Sequence, residues 1–161
     1  MIKKILTAIV LMASVLSAQS YAFQTIVVVR HGEKVDDSRD PLLSEKGQQR
    51  AQNLARILRD ANIEQVFATE YQRTQLTAKP LADARQLAIT PYSAKESLAI
   101  GQQLRSASKN TLIVGHSNTL NTLLQGLGIT EQKAVAEDEF DRLLIVHLHK
   151  DGAPSLTILR Y

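Results

Sequence analysis

Short apolar runs alternate with amphipathic stretches along most of the chain. The β-branched run from Thr25 to Val29 predicts a strand that is buried on both faces, as in a parallel sheet. Residues 63–68, 88–92 and 111–114 predict three further strands. Residues 143–148 and 156–159 predict two more, which a turn at Asp151 and Gly152 joins into a hairpin.

Between these runs, apolar residues recur at helical spacing. The first such set has the i, i+3, i+4, i+7 pattern of an amphipathic helix, which we expect to begin after an N-cap at Ser44 and to end near residue 62. It consists of Ala51, Leu54, Ala55 and Leu58. Further helices are predicted from Gln72, with a kink or restart at Pro80, within residues 95–107, and over residues 120–127.

The order of these elements predicts the fold class. Strands alternate with helices early in the chain and a hairpin closes it, so we expect an α/β protein of three layers, α/β/α. Its central sheet should be mostly parallel, with a C-terminal antiparallel hairpin. The acidic residues 131–141 predict a solvated connection before that hairpin.

The first 22 residues have the pattern of a secretory signal peptide. Lys3 and Lys4 precede an apolar run over residues 5–16, and Ser20 and Ala22 suit a cleavage site after Ala22. An uncleaved membrane anchor is the weaker alternative, because a spanning helix needs roughly 20 apolar residues. We therefore expect a single domain over residues 23–161 that is periplasmic or secreted, with no stable membrane insertion after cleavage.

Composition excludes several classes of function. Removal of Lys3 and Lys4 lowers the count of Lys and Arg from 19 to 17, against 16 Asp and Glu, so charge gives no case for nucleic acid binding. The chain has no cysteine, which excludes disulfides, thiolate metal sites and cysteine nucleophiles.

Polar clusters follow three of the predicted strands. Arg30 and His31 follow the first, residues 69–73 follow the second, and His116 follows the fourth. Ligands bind at the carboxyl edge of open α/β sheets, so we expect these side chains to converge there. Arginine matches phosphate oxygens with two donors, and helices that begin near Gln72 and Asn118 add backbone N–H groups. The predicted ligand is a small phosphorylated substrate.

The chemistry of the side chains predicts their roles. A neutral imidazole is a nucleophile towards phosphorus, and His31 is our candidate. The neighbouring arginines should lower the pKa of that imidazole and so keep it neutral. Arg30, Arg73 and His116 should hold the phosphoryl group, and Asn118 is predicted to cap a helix and to contact substrate.

Three motifs resemble the histidine phosphatase superfamily, the phosphoglycerate mutase-like proteins, in the branch with the R-H-G motif. They are Arg30-His31-Gly32-Glu33, the arginine with Thr-x-x-Thr-Ala within residues 68–78, and Gly115-His116-Ser117-Asn118. The resemblance implies that His31 is phosphorylated during turnover and that Arg30, Arg73 and His116 bind the phosphoryl group. It implies no metal and no other cofactor. Residues 137–146 resemble exported members in particular.

Hydrolysis of an alkyl phosphate calls for an acid that protonates the leaving oxygen. Many members of the family place a glutamate between the second and third motifs, and Glu96 is the candidate in this chain. A chain without such an acid would favour substrates with good leaving groups, as do the small phosphohistidine phosphatases that this chain resembles in length.

Three alternatives remain open from the sequence. A non-catalytic phosphate- or phosphosugar-binding protein would keep the arginines without turnover. A metal hydrolase would use His31, His116 and a carboxylate, but the chain has no compact metal-ligand motif. A mutase is the least expected, because it must retain its phosphorylated intermediate, which suits an open site outside the cytoplasm poorly.

Overall fold

The computed structural model describes residues 23–161, so the predicted signal peptide lies outside the described residues. Within them, helices and strands alternate up to a final pair of strands. In chain order they are β1 (Phe23–Arg30), α1 (Glu45–Ile57), β2 (Gln65–Thr69), α2 (Gln72–Arg85), β3 (Ile89–Tyr92), α3 (Ser97–Arg105), β4 (Thr111–Gly115), α4 (Ser117–Gly126), β5 (Arg142–His149) and β6 (Ser155–Arg160). No helix within residues 23–161 is long and apolar enough to cross a membrane.

The strands form one sheet in the order β3-β2-β4-β1-β5-β6. The strands β3, β2, β4 and β1 are parallel to one another, whereas β5 runs antiparallel to β1 and pairs with β6 as a hairpin. This arrangement confirms the predicted fold class.

Helices cover both faces of the sheet, because successive side chains of a strand point to opposite sides. Val28 belongs to a buried cluster that includes Leu124 of α4. Its neighbour Val29 belongs to a second cluster, which includes Leu54 of α1 and Leu81 of α2. The apolar run of β1 is thus covered by helices on both faces of the sheet, which is why it contains no polar residue between Ile26 and Val29.

Some helix boundaries differ from the predictions. Ser44 is the N-cap of α1 as predicted, since its hydroxyl oxygen accepts the Gly47 N–H at 3.1 Å. However, α1 ends at Ile57 instead of near residue 62, and the chain turns at Asn62, whose φ is 48°. The helix α2 continues through Pro80 without a restart.

The prediction that Asn118 caps a helix is wrong. The N-cap of α4 is His116, whose backbone is extended, and its N–H donates to the Thr119 hydroxyl at 3.2 Å. Asn118 lies inside the first turn. The strand thus passes into the helix with no intervening loop.

The acidic segment 131–141 is a mostly exposed connection, as predicted, but it is also anchored to the hairpin. Val135 is buried, and Glu139 forms ion pairs with Arg142 at 3.2 Å and Arg160 at 2.9 Å. These arginines come from β5 and β6, so the segment packs against the hairpin that follows it. The sequence pattern missed this because charges on the segment are compensated by residues on other elements.

Candidate active site

Three strand ends bring the predicted site residues together. Arg30 pairs in register with Gly115, so His31 and His116 follow at the same level on adjacent strands. The centroids of the two imidazole rings are 5.3 Å apart. Arg73 reaches the same place from the first turn of α2, with its Nη2 atom 3.4 Å from Nδ1 of His116.

These four side chains line one open cavity of about 310 Å³. Its remaining lining is mostly polar and comes from loops and helix starts on every side of the strand ends. These further residues are Lys34, Ser38, Pro41, Tyr71, Ala94, Ser117, Asn118, Thr119 and Glu137. The volume is at the lower end of the range of roughly 300 to 1,000 Å³ for ligand sites, which suits a phosphoryl group with a small substituent.

His31 presents one ring nitrogen without its proton. Its Nδ1 atom lies 2.7 Å from the carbonyl oxygen of Gly32, which can only accept, so Nδ1 carries the proton and donates. Nε2 therefore holds the free lone pair that a nucleophile needs. The backbone N–H of His31 donates to the Gly115 carbonyl at 3.0 Å and fixes the residue against β4.

Burial keeps His31 neutral. It lowers the pKa of the imidazole to about 3, against the opposing effect of the Gly32 hydrogen bond, with smaller contributions from the charges of His116, Arg30 and Arg73. The direction of the shift is as predicted, and both arginines contribute to it as predicted. The sequence did not reveal that burial contributes more than the arginines do.

His116 is held by its neighbours from two sides. The Arg73 guanidinium can only donate, so Nδ1 of His116 is the acceptor of that contact and Nε2 carries the proton. Nε2 then donates to the Thr69 hydroxyl at 2.8 Å, which in turn lies 2.8 Å from the Thr74 hydroxyl. Burial, followed by the charge of Arg73, lowers the pKa of His116 to about 4.

Both arginines have buried donors that no protein group satisfies. Nε of Arg30 and both Nε and Nη1 of Arg73 have no hydrogen-bond partner among the described residues. The carboxylate of Asp40 lies 3.8 Å from Nη1 of Arg73, beyond hydrogen-bond distance. An unsatisfied buried donor costs about 1–3 kcal/mol, so three of them on two arginines that line one cavity favour a site for an oxyanion.

Arg30 also holds the segment that precedes β5. Its Nη1 atom donates to the carbonyl oxygens of Ala136 at 3.1 Å, Glu137 at 2.5 Å and Glu139 at 3.3 Å. The guanidinium lies over the Phe140 ring, 4.0 Å from its centroid. One edge of Arg30 therefore fixes the chain while Nε remains available to a ligand.

An ion pair supports the loop behind His31. Arg50 of α1 donates to Glu33 from Nε at 2.9 Å and from Nη2 at 2.8 Å. Burial would raise the pKa of Glu33, but the hydrogen bonds from Arg50, its own backbone and Lys46 lower it to about 2. Glu33 is thus an ionised anchor of the loop and not a proton donor.

The structure places Glu96 differently from the other predicted site residues. Glu96 is exposed on a 3-10 turn, Ala94–Glu96, and does not line the cavity, although Ala94 does. Asn118 lines the cavity and is exposed, which suits contact with a substrate.

Sequence reasoning missed three polar residues of the site. Thr69 ends β2 and Ser117 begins α4, and both lie within the motifs quoted above, so their place in these motifs is the signal that could have identified them. Glu137 gave a weaker signal, because it lies in an acidic segment far along the chain from Arg30. Within residues 23–161, no three His, Asp or Glu side chains are grouped so that they could hold a metal ion.

Comparison with known proteins agrees with this geometry. The family model of the histidine phosphatase superfamily (branch 1) matches residues 26–99, which contain Arg30, His31 and Arg73. Over these residues the chain is similar to the histidine phosphatase superfamily. His116 lies beyond the matched residues, and the structure brings it beside His31.

The chain is also similar to a probable phosphoglycerate mutase, GpmB, of Erwinia tasmaniensis. The two are 36% identical over 66 residues, which is 37% of this chain, and the chain spans only 31% of the length of that relative.

Solved structures show the same fold. A phosphoserine phosphatase of Entamoeba histolytica, in complex with 3-phosphoglyceric acid, is 16% identical with a TM-score of 0.61, over 86% of this chain and 97% of that one. The protein histidine phosphatase SixA, complexed with tungstate, is 17% identical with a TM-score of 0.65, over 85% of this chain and 97% of SixA.

Proposed function

We propose that this protein is a phosphatase that hydrolyses phosphomonoesters through a phosphohistidine on His31. The observation that carries the proposal is the set of three unsatisfied guanidinium donors of Arg30 and Arg73 around an imidazole with a free Nε2. Such donors match the oxygens of a phosphoryl group, and the imidazole supplies the nucleophile. The substrate classes named for the structural neighbours, a phosphoamino acid phosphatase and a protein histidine phosphatase, are consistent with it.

The reaction proceeds in two displacements. Nε2 of His31 attacks phosphorus, an N–P bond forms, and the P–O bond to the leaving group breaks. The leaving oxygen takes a proton and departs as an alcohol. Water then attacks phosphorus, the N–P bond breaks with its electron pair returning to Nε2, and inorganic phosphate leaves.

Each neighbouring group has a role in these steps. Arg30 and Arg73 neutralise the charge of the transferred group, where electrostatics and positioning supply most of the catalysis. The Gly32 carbonyl, 2.7 Å from Nδ1, stabilises the positive charge that the ring gains as Nε2 is phosphorylated. Arg73 fixes the ring of His116, and the centroid of that ring lies 5.3 Å from the centroid of the His31 ring.

The test uses para-nitrophenyl phosphate with excess chelator. We expect turnover in the wild-type domain and a loss of kcat/KM of about 10⁴- to 10⁶-fold in His31→Asn, the range seen when single members of a catalytic triad are removed. His149→Asn is the matched control, because His149 is exposed at the end of β5, outside the cavity, and should stay within about twofold of wild type. An acid-labile phosphoryl label should appear on the wild type and not on His31→Asn.

The other outcomes identify the alternatives. Tight binding of inorganic phosphate without turnover would indicate a binding protein. Loss of turnover on chelation would indicate a metal hydrolase. Transfer of the phosphoryl group to a second alcohol in preference to water would indicate a mutase.

A further inference from the structure

The cavity lining contains one carboxylate to which the attack of His31 and the later attack of water, as described above, assign no role. Of the described residues that line the cavity, Glu137 is the only one with an acidic side chain. It belongs to the segment 131–141, whose backbone Arg30 holds through three carbonyl oxygens. The position of Glu137 is therefore fixed by the same arginine that is expected to bind the phosphoryl group.

The carboxylate of Glu137 is held from two elements. Its Oε1 atom accepts the Ser117 hydroxyl at 2.7 Å, at the start of α4, and its Oε2 atom lies 3.3 Å from Nη2 of Arg30, at the end of β1. These contacts tie both carboxylate oxygens to residues that line the cavity. The side chain is nevertheless 81% exposed, against 5% for Arg30, so it lies at the solvent side of the site and can exchange protons with water.

The direction of attack explains why this position matters. Nucleophile, phosphorus and leaving oxygen lie roughly in line in phosphoryl transfer. His31 is a buried residue of the cavity lining, so the leaving group of an in-line attack departs on the side away from it, towards solvent. Glu137 lies on that side, where a proton donor for the leaving oxygen is needed.

We propose that Glu137 is the general acid and base of the reaction; this rests on the proposed phosphatase function. In its carboxylic acid form it donates its proton to the leaving oxygen as the P–O bond breaks, and the alcohol departs. The resulting carboxylate takes a proton from the water that attacks the phosphohistidine, so the acid form is restored when phosphate leaves. Arg30 keeps the segment in place through Nη1 while Nε is free for a phosphoryl oxygen.

Other carboxylates near the site are less well placed. Glu96 is exposed outside the lining. Glu70 accepts the backbone N–H of Ala94 at 3.0 Å, and Asp40 accepts that of Gln72 at 2.8 Å. Neither carboxylate lines the cavity, and each already accepts a hydrogen bond from a backbone N–H of a neighbouring element.

The test compares leaving groups. Glu137→Gln keeps the shape of the side chain and removes its proton. We expect kcat/KM for an alkyl phosphate, glycerol phosphate, to fall about 100-fold, in line with the contribution of about 10²- to 10⁴-fold from general acid catalysis. For para-nitrophenyl phosphate, whose leaving group needs little protonation, kcat/KM reports only the first displacement and should fall far less, whereas kcat should fall because the second displacement loses its base. The retained activity also shows that the variant is folded.

Asp138→Asn is the matched control. It removes the same charge from the adjacent exposed position, which does not line the cavity, and should leave the ratio of the two kcat/KM values unchanged. Equal loss on both substrates in Glu137→Gln, or no loss on either, would overturn the role of Glu137 while His31-dependent turnover of the wild type still supports the phosphatase. A wild type without turnover or phosphohistidine would instead overturn the proposed function.

Discussion

Burial determines the protonation state of the two histidines in this site. His31 and His116 are 4% and 8% exposed, and removal from water disfavours the charged imidazolium of both. Each is oriented by a hydrogen bond to one ring nitrogen, from which the tautomer follows. The same burial links the protonation of the site to the stability of the fold.

We expect the free energy of unfolding to decrease as the pH falls below 6.5. The pKa of His31 is about 3 and that of His116 about 4 in the folded protein, against 6.5 in the unfolded chain. The unfolded state therefore binds more protons below pH 6.5. The contribution of the two histidines to the free energy of unfolding is fully present above pH 6.5 and is lost as the pH falls towards their pKa values in the folded protein. At about 1.4 kcal/mol per pH unit, each histidine accounts for about 2 kcal/mol between pH 6.5 and pH 5.

Urea unfolding at pH 7 and pH 5 measures this effect. The decrease should be about 2 kcal/mol smaller in His31→Gln than in wild type, since one of the two histidines is gone. His149→Gln should show the wild-type decrease, because His149 is exposed. A His31→Gln variant with the full wild-type decrease would contradict the prediction.

The sequence predicted the site residues that stand next to strand ends and missed those that tertiary contacts bring in. Arg30, His31 and His116 each directly follow a β-branched or apolar run, which gives their position in the sheet. Glu137 has no such local signal, and its place depends on Arg30, which is 107 residues away in sequence. Glu96 has the sequence position of a catalytic glutamate, but the turn that carries it leaves it outside the lining.

Among the elements, α3 and α4 approach most closely, through a pair of glycines. Gly101 of α3 and Gly126 of α4 face each other, and a Cβ atom built on Gly126 would lie 2.5 Å from the Leu98 carbonyl oxygen and 2.9 Å from Cα of Gly101. Both obstructing atoms belong to backbone and cannot rotate away. The contact places the helix that begins at His116 against the sheet.

We expect Gly126→Ala to destabilise the protein by about 1–3 kcal/mol, because overpacking forces the two helices apart. The midpoint of urea unfolding measures the change. Gly152→Ala is the control: at the turn of the hairpin, the new Cβ would meet only the His149 side chain, at 3.4 Å, and the change should stay within about 0.5 kcal/mol. Equal stability of the two variants would show that the helices adjust freely.

Hydrophobic periodicity predicted most of the elements because they bury apolar side chains; β6 is the exception, since Ile158 and Leu159 are exposed. The strand β2 begins at Gln65 rather than at residue 63, since Ile63 is buried but lies in the connection before it. The composition of the acidic segment 131–141 predicted a solvated chain, and its residues are mostly exposed, but composition did not reveal how the segment is anchored. Its carboxylates pair with Arg30, Arg142 and Arg160, which lie on three different strands.

For the whole molecule, we propose that the chain is exported and cleaved after Ala22. The basic start and apolar run of residues 1–22 support this. In a bacterial expression host, the secreted or periplasmic fraction should contain a chain whose first residue is Phe23.

N-terminal sequencing and intact mass check the cleavage. Ala22→Arg should block it, because a large charged residue replaces the small one before the cleavage site, and the uncleaved chain should then accumulate with the membranes. A wild-type chain that retains residues 1–22 in the membrane fraction would identify them as an anchor instead.

The two edges of the Arg30 guanidinium also affect how mutational scans of this protein should be interpreted. Nη1 supports three carbonyls of the segment 131–141, while Nε has no partner among the described residues. Lysine has a single ammonium group and cannot reproduce this division, so Arg30→Lys removes a ligand and a structural support together. A scan would therefore rank Arg30 above Arg73 even if both bound the phosphoryl group equally, and Arg30 variants would show epistasis with Glu137.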